Sequence, residues 1–243
     1  MMKTLIAQSA AEIRMTLRRG ETLLLTVLIP LGLLVFFTEV AVIATPDARR
    51  IDFLTPGIMS LAVLSTSLVA LSISTGFERS YGVLKRLRTT PLPMRTFITA
   101  KIVSIVVTEL IQIVAIVTVA VLLGWNPHTS ASSLALIVLA LLLASAACAG
   151  IGLFLAGRLA AEINLAAANG LYLILLLGSG MVIPTTSLPG PFSALSHLIP
   201  SGALSDILHR ATTGRSLTVI DLVSLSVWAI AAPLLAVRTF RVD

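Results

Sequence analysis

The chain has 243 residues, 57% hydrophobic and 12% charged, with a mean hydropathy of +1.03 that no water-exposed globular surface carries. At roughly 20 apolar residues per crossing this length holds about six membrane helices and leaves no room for a sizeable soluble catalytic domain among them. A net charge of +6 raises nucleic acid as a partner, but in so apolar a chain basic residues mark cytoplasmic loops. One cysteine, Cys148, cannot form an internal disulfide, and the three histidines are too scattered to resemble a zinc motif, so no metal site is expected.

Residues 1–21 contain no apolar run long enough for a signal-peptide core, so the amino terminus is expected to be retained. Ile6, Ala10, Ile13 and Leu17 recur at helical spacing while Lys3, Arg14 and Arg18 share another face, which predicts an amphipathic helix lying at the membrane surface. Six apolar segments follow, at 22–43, 56–77, 102–124, 132–157, 163–183 and 218–237. They are apolar on every face, where strands of a membrane barrel would alternate with period two, so the fold class is an all-α membrane protein with six spans. Pro30 and Pro233 fall inside the first and last spans and should kink or loosen them.

Placing loops alternately puts 13 of the 17 basic residues on the side of both termini. Arg49, Arg50, Arg210 and Arg215 fall on the other. The bias makes the termini and the stretch 78–101 cytoplasmic and the stretch 184–217 external. Both stretches are longer than simple connections, so function is sought there first.

The cytoplasmic stretch carries Val83, Leu84 and Leu87 as a short apolar stripe beside Tyr81, with Lys85, Arg86 and Arg88 as a basic one and Pro91 closing the helix. Such a helix either touches lipid headgroups or docks its apolar edge into a protein groove. The external stretch is too broken by Pro and Gly to span, yet Phe192, Leu195, Leu198, Ile199, Leu204, Ile207 and Leu208 are too apolar for an exposed loop. A re-entrant hairpin between spans five and six meets both conditions. Within the spans, Glu109 is the one acid deep in a central apolar run, and Gln112 follows it by one turn. This pair reads as interhelical hydrogen bonding or a water-lined position, with proton coupling at Glu109 as the alternative. Ser60, Ser67 and Ser74 recur every seven residues in span two, and Asn164 and Asn169 lie early in span five; they either pack the helices or line a solute path. No G-x-x-x-x-G-K-[ST] run occurs, so a phosphate-cradling ATP site of that kind is not encoded here.

The run Gly82-Val83-Leu84-Lys85-Arg86-Leu87-Arg88-Thr89-Thr90-Pro91-Leu92-Pro93, followed by Lys101, resembles the loop after the second span in type-2 ATP-binding-cassette exporter permeases, the group that includes daunorubicin-resistance-type efflux subunits. Relatives often carry an acidic residue two positions before the glycine, where this chain has Ser80, with Glu78 close by. Pro184, the pair Leu188-Pro189, Pro200 and Arg210 resemble that family's pattern between spans five and six. The resemblance implies that Glu78, Arg79, Tyr81, Gly82, Leu84, Lys85, Arg86, Leu87 and Arg88 form a coupling helix against a separate ATP-binding-cassette ATPase, which holds ATP and Mg. It further implies a permease pair, homodimeric or with a paralogue, whose second and fifth spans surround the passage, making Ser60, Ser67, Ser74, Asn164 and Asn169 pathway candidates. No cofactor is expected in this chain itself. The expected function is export of hydrophobic or amphipathic drugs or lipids across a bacterial plasma membrane, with polysaccharide export or proton-coupled transport through Glu109 as alternatives.

Overall fold

The computed structural model describes residues 2–18, 20–40, 49–87, 93–127, 129–181, 195–216 and 218–241. Among these residues every regular element is helical. In chain order they are α1 (Met2–Arg18), α2 (Gly20–Glu39), α3 (Arg50–Val63), a π-helical stretch (Leu64–Ala70), α4 (Leu71–Ser80), α5 (Val83–Leu87), α6 (Met94–Leu122), α7 (Ala131–Arg158), α8 (Ala161–Leu177), α9 (Pro200–Thr213) and α10 (Val219–Thr239). Among the described residues four stretches are long and apolar enough to cross a membrane: Arg50–Ser80, Met94–Leu122, Ala131–Arg158 and Val219–Thr239. The other two predicted spans correspond to shorter apolar helices, Thr26–Glu39 and Ala161–Leu177.

The bundle is organised around α7. Ala140, Ala144, Ala147, Ala149, Gly152 and Ala156 are buried along it, and small side chains let neighbouring backbones approach where lipid gives no hydrophobic drive to association. A Cβ on Gly152 would lie 2.7 Å from the Leu68 carbonyl oxygen of the π-helical stretch, so that approach needs glycine. Pro30 and Pro233 both stand inside continuous helices, α2 and α10.

Two findings differ from the sequence reading, and a third bears on the external stretch. The stretch 78–101 is only partly a loop, because α4 runs on to Ser80 and α6 starts at Met94. Pro93, at φ −64°, is the N-cap of α6 and fixes its start two turns before the apolar run; Lys101 is therefore a helical residue. Secondly, α1 turns Ser9 and Glu12 into the protein and leaves Ile6, Met15 and Leu17 exposed. Its polar face meets α6, since Thr16 and Ser104 share a hydroxyl hydrogen bond of 3.2 Å, while its apolar face points outward. Thirdly, α9 is folded into the core: Leu204, Ile207 and Leu208 are buried in one cluster with residues of α3, α6 and α7. Pro200 opens α9, and Gly214 closes it at φ +68°, the usual starting and stopping residues. Pro184, Leu188 and Pro189, in the first arm of the predicted hairpin, lie outside the described residues, as does Arg88.

One end of the bundle gathers several chain segments. Arg79 Nη1 and Nη2 donate to the carbonyls of Ala156 (2.9 Å) and Leu159 (2.7 Å) at the end of α7, and the Arg241 amide donates to Gly157 O at 3.0 Å. At the other end Arg49 Nη1 donates to Gly124 O at 3.0 Å.

Candidate functional site

The turn between α4 and α5 is made by Gly82 at φ +71°, a left-handed conformation that costs a residue with a Cβ about 1 kcal/mol or more. It swings the five-residue α5 across the end of the bundle. Leu84 is its anchor, buried with Leu71, Phe97, Ile98 and Leu153. Val83 and Tyr81 stay outside, 40% and 73% exposed, with Tyr81 stacked on Phe77 at 6.0 Å between ring centroids; Lys85 and Arg86 are exposed too. The apolar stripe is thus divided, its Leu84 covered by the chain itself and Val83 left outside. The side chain of Leu87 lies outside the described residues.

Behind this surface is a buried ion cluster. Lys101 Nζ on α6 lies 2.6 Å from Glu78 Oε2 at the end of α4 and 2.9 Å from Glu12 Oε2 on α1, with Lys101 only 4% exposed. Gln8 Nε2 donates to the other Glu12 oxygen at 3.0 Å. A lysine taken out of water is stable only when paired and hydrogen-bonded, so one ammonium ties three helices together. A cavity of about 80 Å³ adjoins the cluster, its wall shared between polar groups (Glu12, Thr16, Ser74, Glu78, Lys101) and apolar ones (Met15, Leu71, Ile105); its volume and the polar groups along one part of it suit water.

The second polar region lies at the π-helical stretch. Ser67 and Ser145 each donate to a different oxygen of Glu109, joining the π-helical stretch and α7 to α6. One turn on, Gln112 Oε1 accepts from Thr66 at 2.9 Å, and its Nε2 donates to Thr26 O of α2 at 2.8 Å. Widened π turns are rare and concentrate at functional sites; here the stretch supplies two consecutive hydroxyls, Thr66 and Ser67, to a single neighbouring helix.

The remaining pathway candidates separate. Ser60 bonds back to Pro56 O and Ser74 to Leu71 O within their own helices. Asn164 is fully buried, accepting from Ser72 Oγ and donating to Ser72 O, both at 2.8 Å. Asn169 instead lines a cavity of about 540 Å³ between α2, the second-span helix and α8, with Thr26, Ile29, Leu33, Leu61, Ser65, Val69 and Tyr172. Arg210 bonds to Asp206, one turn away on α9, and donates to Ser216 O at 3.0 Å, and Pro200 opens that helix. The structure therefore brings Glu78, Lys101 and Glu12 into one cluster and Glu109, Gln112, Thr66, Ser67 and Ser145 into a second, while Asn169 stands apart. Glu12, Thr66, Ser65, Ser145 and Tyr172 were not singled out from sequence. Glu12 had one available signal, an acid on the face of α1 that carries neither the basic nor the apolar stripe.

Comparison with known proteins gives two consistent results. The model of the ABC-2 type transporter family matches residues 4–208. The chain is 29% identical over 206 residues, 82% of each chain, to YvfS of Bacillus subtilis (strain 168), a protein that carries the name of a transport permease. Members of this family are the transmembrane subunits of transporters that work with ABC ATPases, and no enzymatic domain is indicated here. A match over residues 4–208, on a bundle of long apolar helices, places this membrane-embedded chain in the ABC-2 type transporter family.

Proposed function

We propose that this chain is the membrane-spanning subunit of an ATP-driven exporter that carries hydrophobic or amphipathic drugs or lipids out of the cytoplasm or inner leaflet, with ATP and Mg held on a separate ATPase subunit. The observation that carries this reading is the surface of α5: a short helix anchored through Leu84, presenting Tyr81, Val83, Lys85 and Arg86 outward. Basic residues beside exposed apolar ones suit a partner groove lined by carboxylates. Movement of the partner would reach the spans through Gly82, α4 and the Lys101 cluster, biasing the permease pair between alternative packings. Six crossings, by α2, the Arg50–Ser80 helix, α6, α7, α8 and α10, with both termini in the cytoplasm of a bacterium, agree with the basic bias. The cavity beside Asn169 is the proposed solute path. Its lining sets Ile29, Leu33, Leu61 and Val69 beside Thr26, Ser65, Asn169 and Tyr172, a mixed wall that suits an amphipathic solute.

The test is Val83→Asp/Lys85→Glu, which alters the exposed face and leaves Leu84 and every span intact. The variant should insert normally but lose co-purification of its cognate ATPase and permease-stimulated ATP hydrolysis by at least about tenfold, as loss of a central contact does; Leu84→Met should keep both. Wild-type values for the double variant would make α5 a surface connector and end this reading. Orientation is tested separately with single cysteines in a Cys148→Ala background. An impermeant thiol reagent should reach Ser132→Cys from outside and Lys85→Cys only after permeabilisation; the reverse pattern would invert the topology.

A further inference from the structure

Where the turn before α9 meets the first turn of α10, the fold brings together His197, Asp206 and Asp221, whose ligand atoms all lie within 4.8 Å of one another. His197 Nδ1 is 2.6 Å from Asp221 Oδ1. Asp206 is held from its other side, its Oδ2 accepting from Arg210 Nε and, at 3.5 Å, from Thr218. Asp221 is the anomaly. It is fully buried, and its Oδ2 has no hydrogen-bond partner, although a buried carboxylate oxygen without a donor is costly. The group beside it is Asp206, another acceptor, so two carboxylates face one another with one imidazole between three chain segments.

We infer that His197, Asp206 and Asp221 form a binding site for one divalent transition-metal ion of the zinc class. The reasoning is chemical. Arg210 holds one of the two carboxylates, and the second keeps a buried oxygen with no donor, which a cation shared by His197 and both carboxylates would satisfy. One nitrogen with two carboxylate oxygens is a ligand set for Zn²⁺ and its neighbours, whereas Ca²⁺ and Mg²⁺ take oxygen alone. His197 and Asp206 are partly exposed, with side chains 27% and 17% accessible, so an ion has a way in, and three protein ligands leave positions for water. Arg210 and Thr218 bonding to the ligating carboxylate are the kind of outer contacts that orient metal ligands. The imidazole binds metal as the neutral ring, so an ion on Nδ1 replaces the proton shared with Asp221. A bound ion would clamp α9 to α10 next to the contacts in which Trp228 Nε1 (2.8 Å) and Ser224 Oγ (3.1 Å) donate to Leu198 O.

The full-length permease, purified through a tag free of histidine and stripped with chelator, would be titrated with Co²⁺ as a spectroscopic probe and then with Zn²⁺. Saturation at one Co²⁺ per chain with visible d–d bands, displacement by Zn²⁺, and a melting temperature raised by Zn²⁺ are expected. All three should be lost in His197→Gln, and Asp206→Asn provides a second variant that spares the buried Asp221. Absence of saturable binding, or unchanged Co²⁺ bands in His197→Gln, would overturn the site. Displacement of Co²⁺ by millimolar Mg²⁺ or Ca²⁺ would overturn its assignment to a transition metal.

Discussion

Lys101→Met should take away the ammonium that stands between Glu12 and Glu78 at the end of the bundle. Methionine fills much of the lysine's volume, so the loss is electrostatic: Lys101 now meets both carboxylates within 2.9 Å and is almost fully buried. Removing one partner of a buried ion pair costs about 3–5 kcal/mol. The expected result is a markedly lower melting temperature in a fixed detergent, with α1 released from α6 and ATP hydrolysis no longer responsive to the permease. Neutralising all three groups, in Lys101→Met/Glu12→Gln/Glu78→Gln, separates stability from signalling, because a buried ion cluster can be exchanged for neutral groups at little net cost. Most of the melting temperature should return. If stimulated hydrolysis stays low in that triple variant, the charges take part in coupling; if it recovers as well, the cluster is a scaffold. A Lys101→Met protein that melts and hydrolyses like wild type would show that the cluster does neither.

That cluster marks the boundary of what the sequence discloses. Continuous apolarity made the helical segments legible, because a span must satisfy its backbone internally and bury its side chains in lipid or protein whatever its neighbours. Glu109 and Gln112 stood out for the same reason, as polar groups in an apolar run. Lys101 reads from sequence as one more cytoplasmic charge, because burial of a charge depends on which helix ends meet, and Glu12 lies 89 residues away. The π-helical stretch is equally hidden: Leu64–Ala70 carries no proline or glycine, and its widened turn appears only where Leu68 O meets Gly152 and where Thr66 and Ser67 both reach α6. His197, Asp206 and Asp221 have no spacing that suggests a metal, since their proximity comes from the fold of α9 against α10. The seven-residue recurrence of Ser60, Ser67 and Ser74 predicts one helical face. The inserted π turn breaks that register, and each serine has a different partner.

Stripping both donors from Glu109, in Ser67→Ala/Ser145→Ala, is expected to have the other large effect. Each serine donates to a different carboxylate oxygen, so removing both takes away the two donors that the neighbouring helices supply to it. Loss of a donor to a buried polar group costs about 1–3 kcal/mol each, more when the group is charged. The double variant should therefore assemble poorly and melt well below wild type. Adding Glu109→Leu removes the orphaned acceptor and should restore much of that loss, since replacing both sides of a buried hydrogen bond by apolar groups is nearly neutral. Glu109→Gln, which keeps an acceptor and the side chain's length, should assemble and stimulate ATP hydrolysis like wild type if the residue's role is to hold α6 against α7 and the π-helical stretch. Melting in one detergent and stimulated hydrolysis in one nanodisc preparation read both quantities. A Glu109→Gln protein that melts like wild type yet loses transport, with wild-type transport following the proton gradient without ATP, would make Glu109 a proton carrier and replace the ATP-driven mechanism.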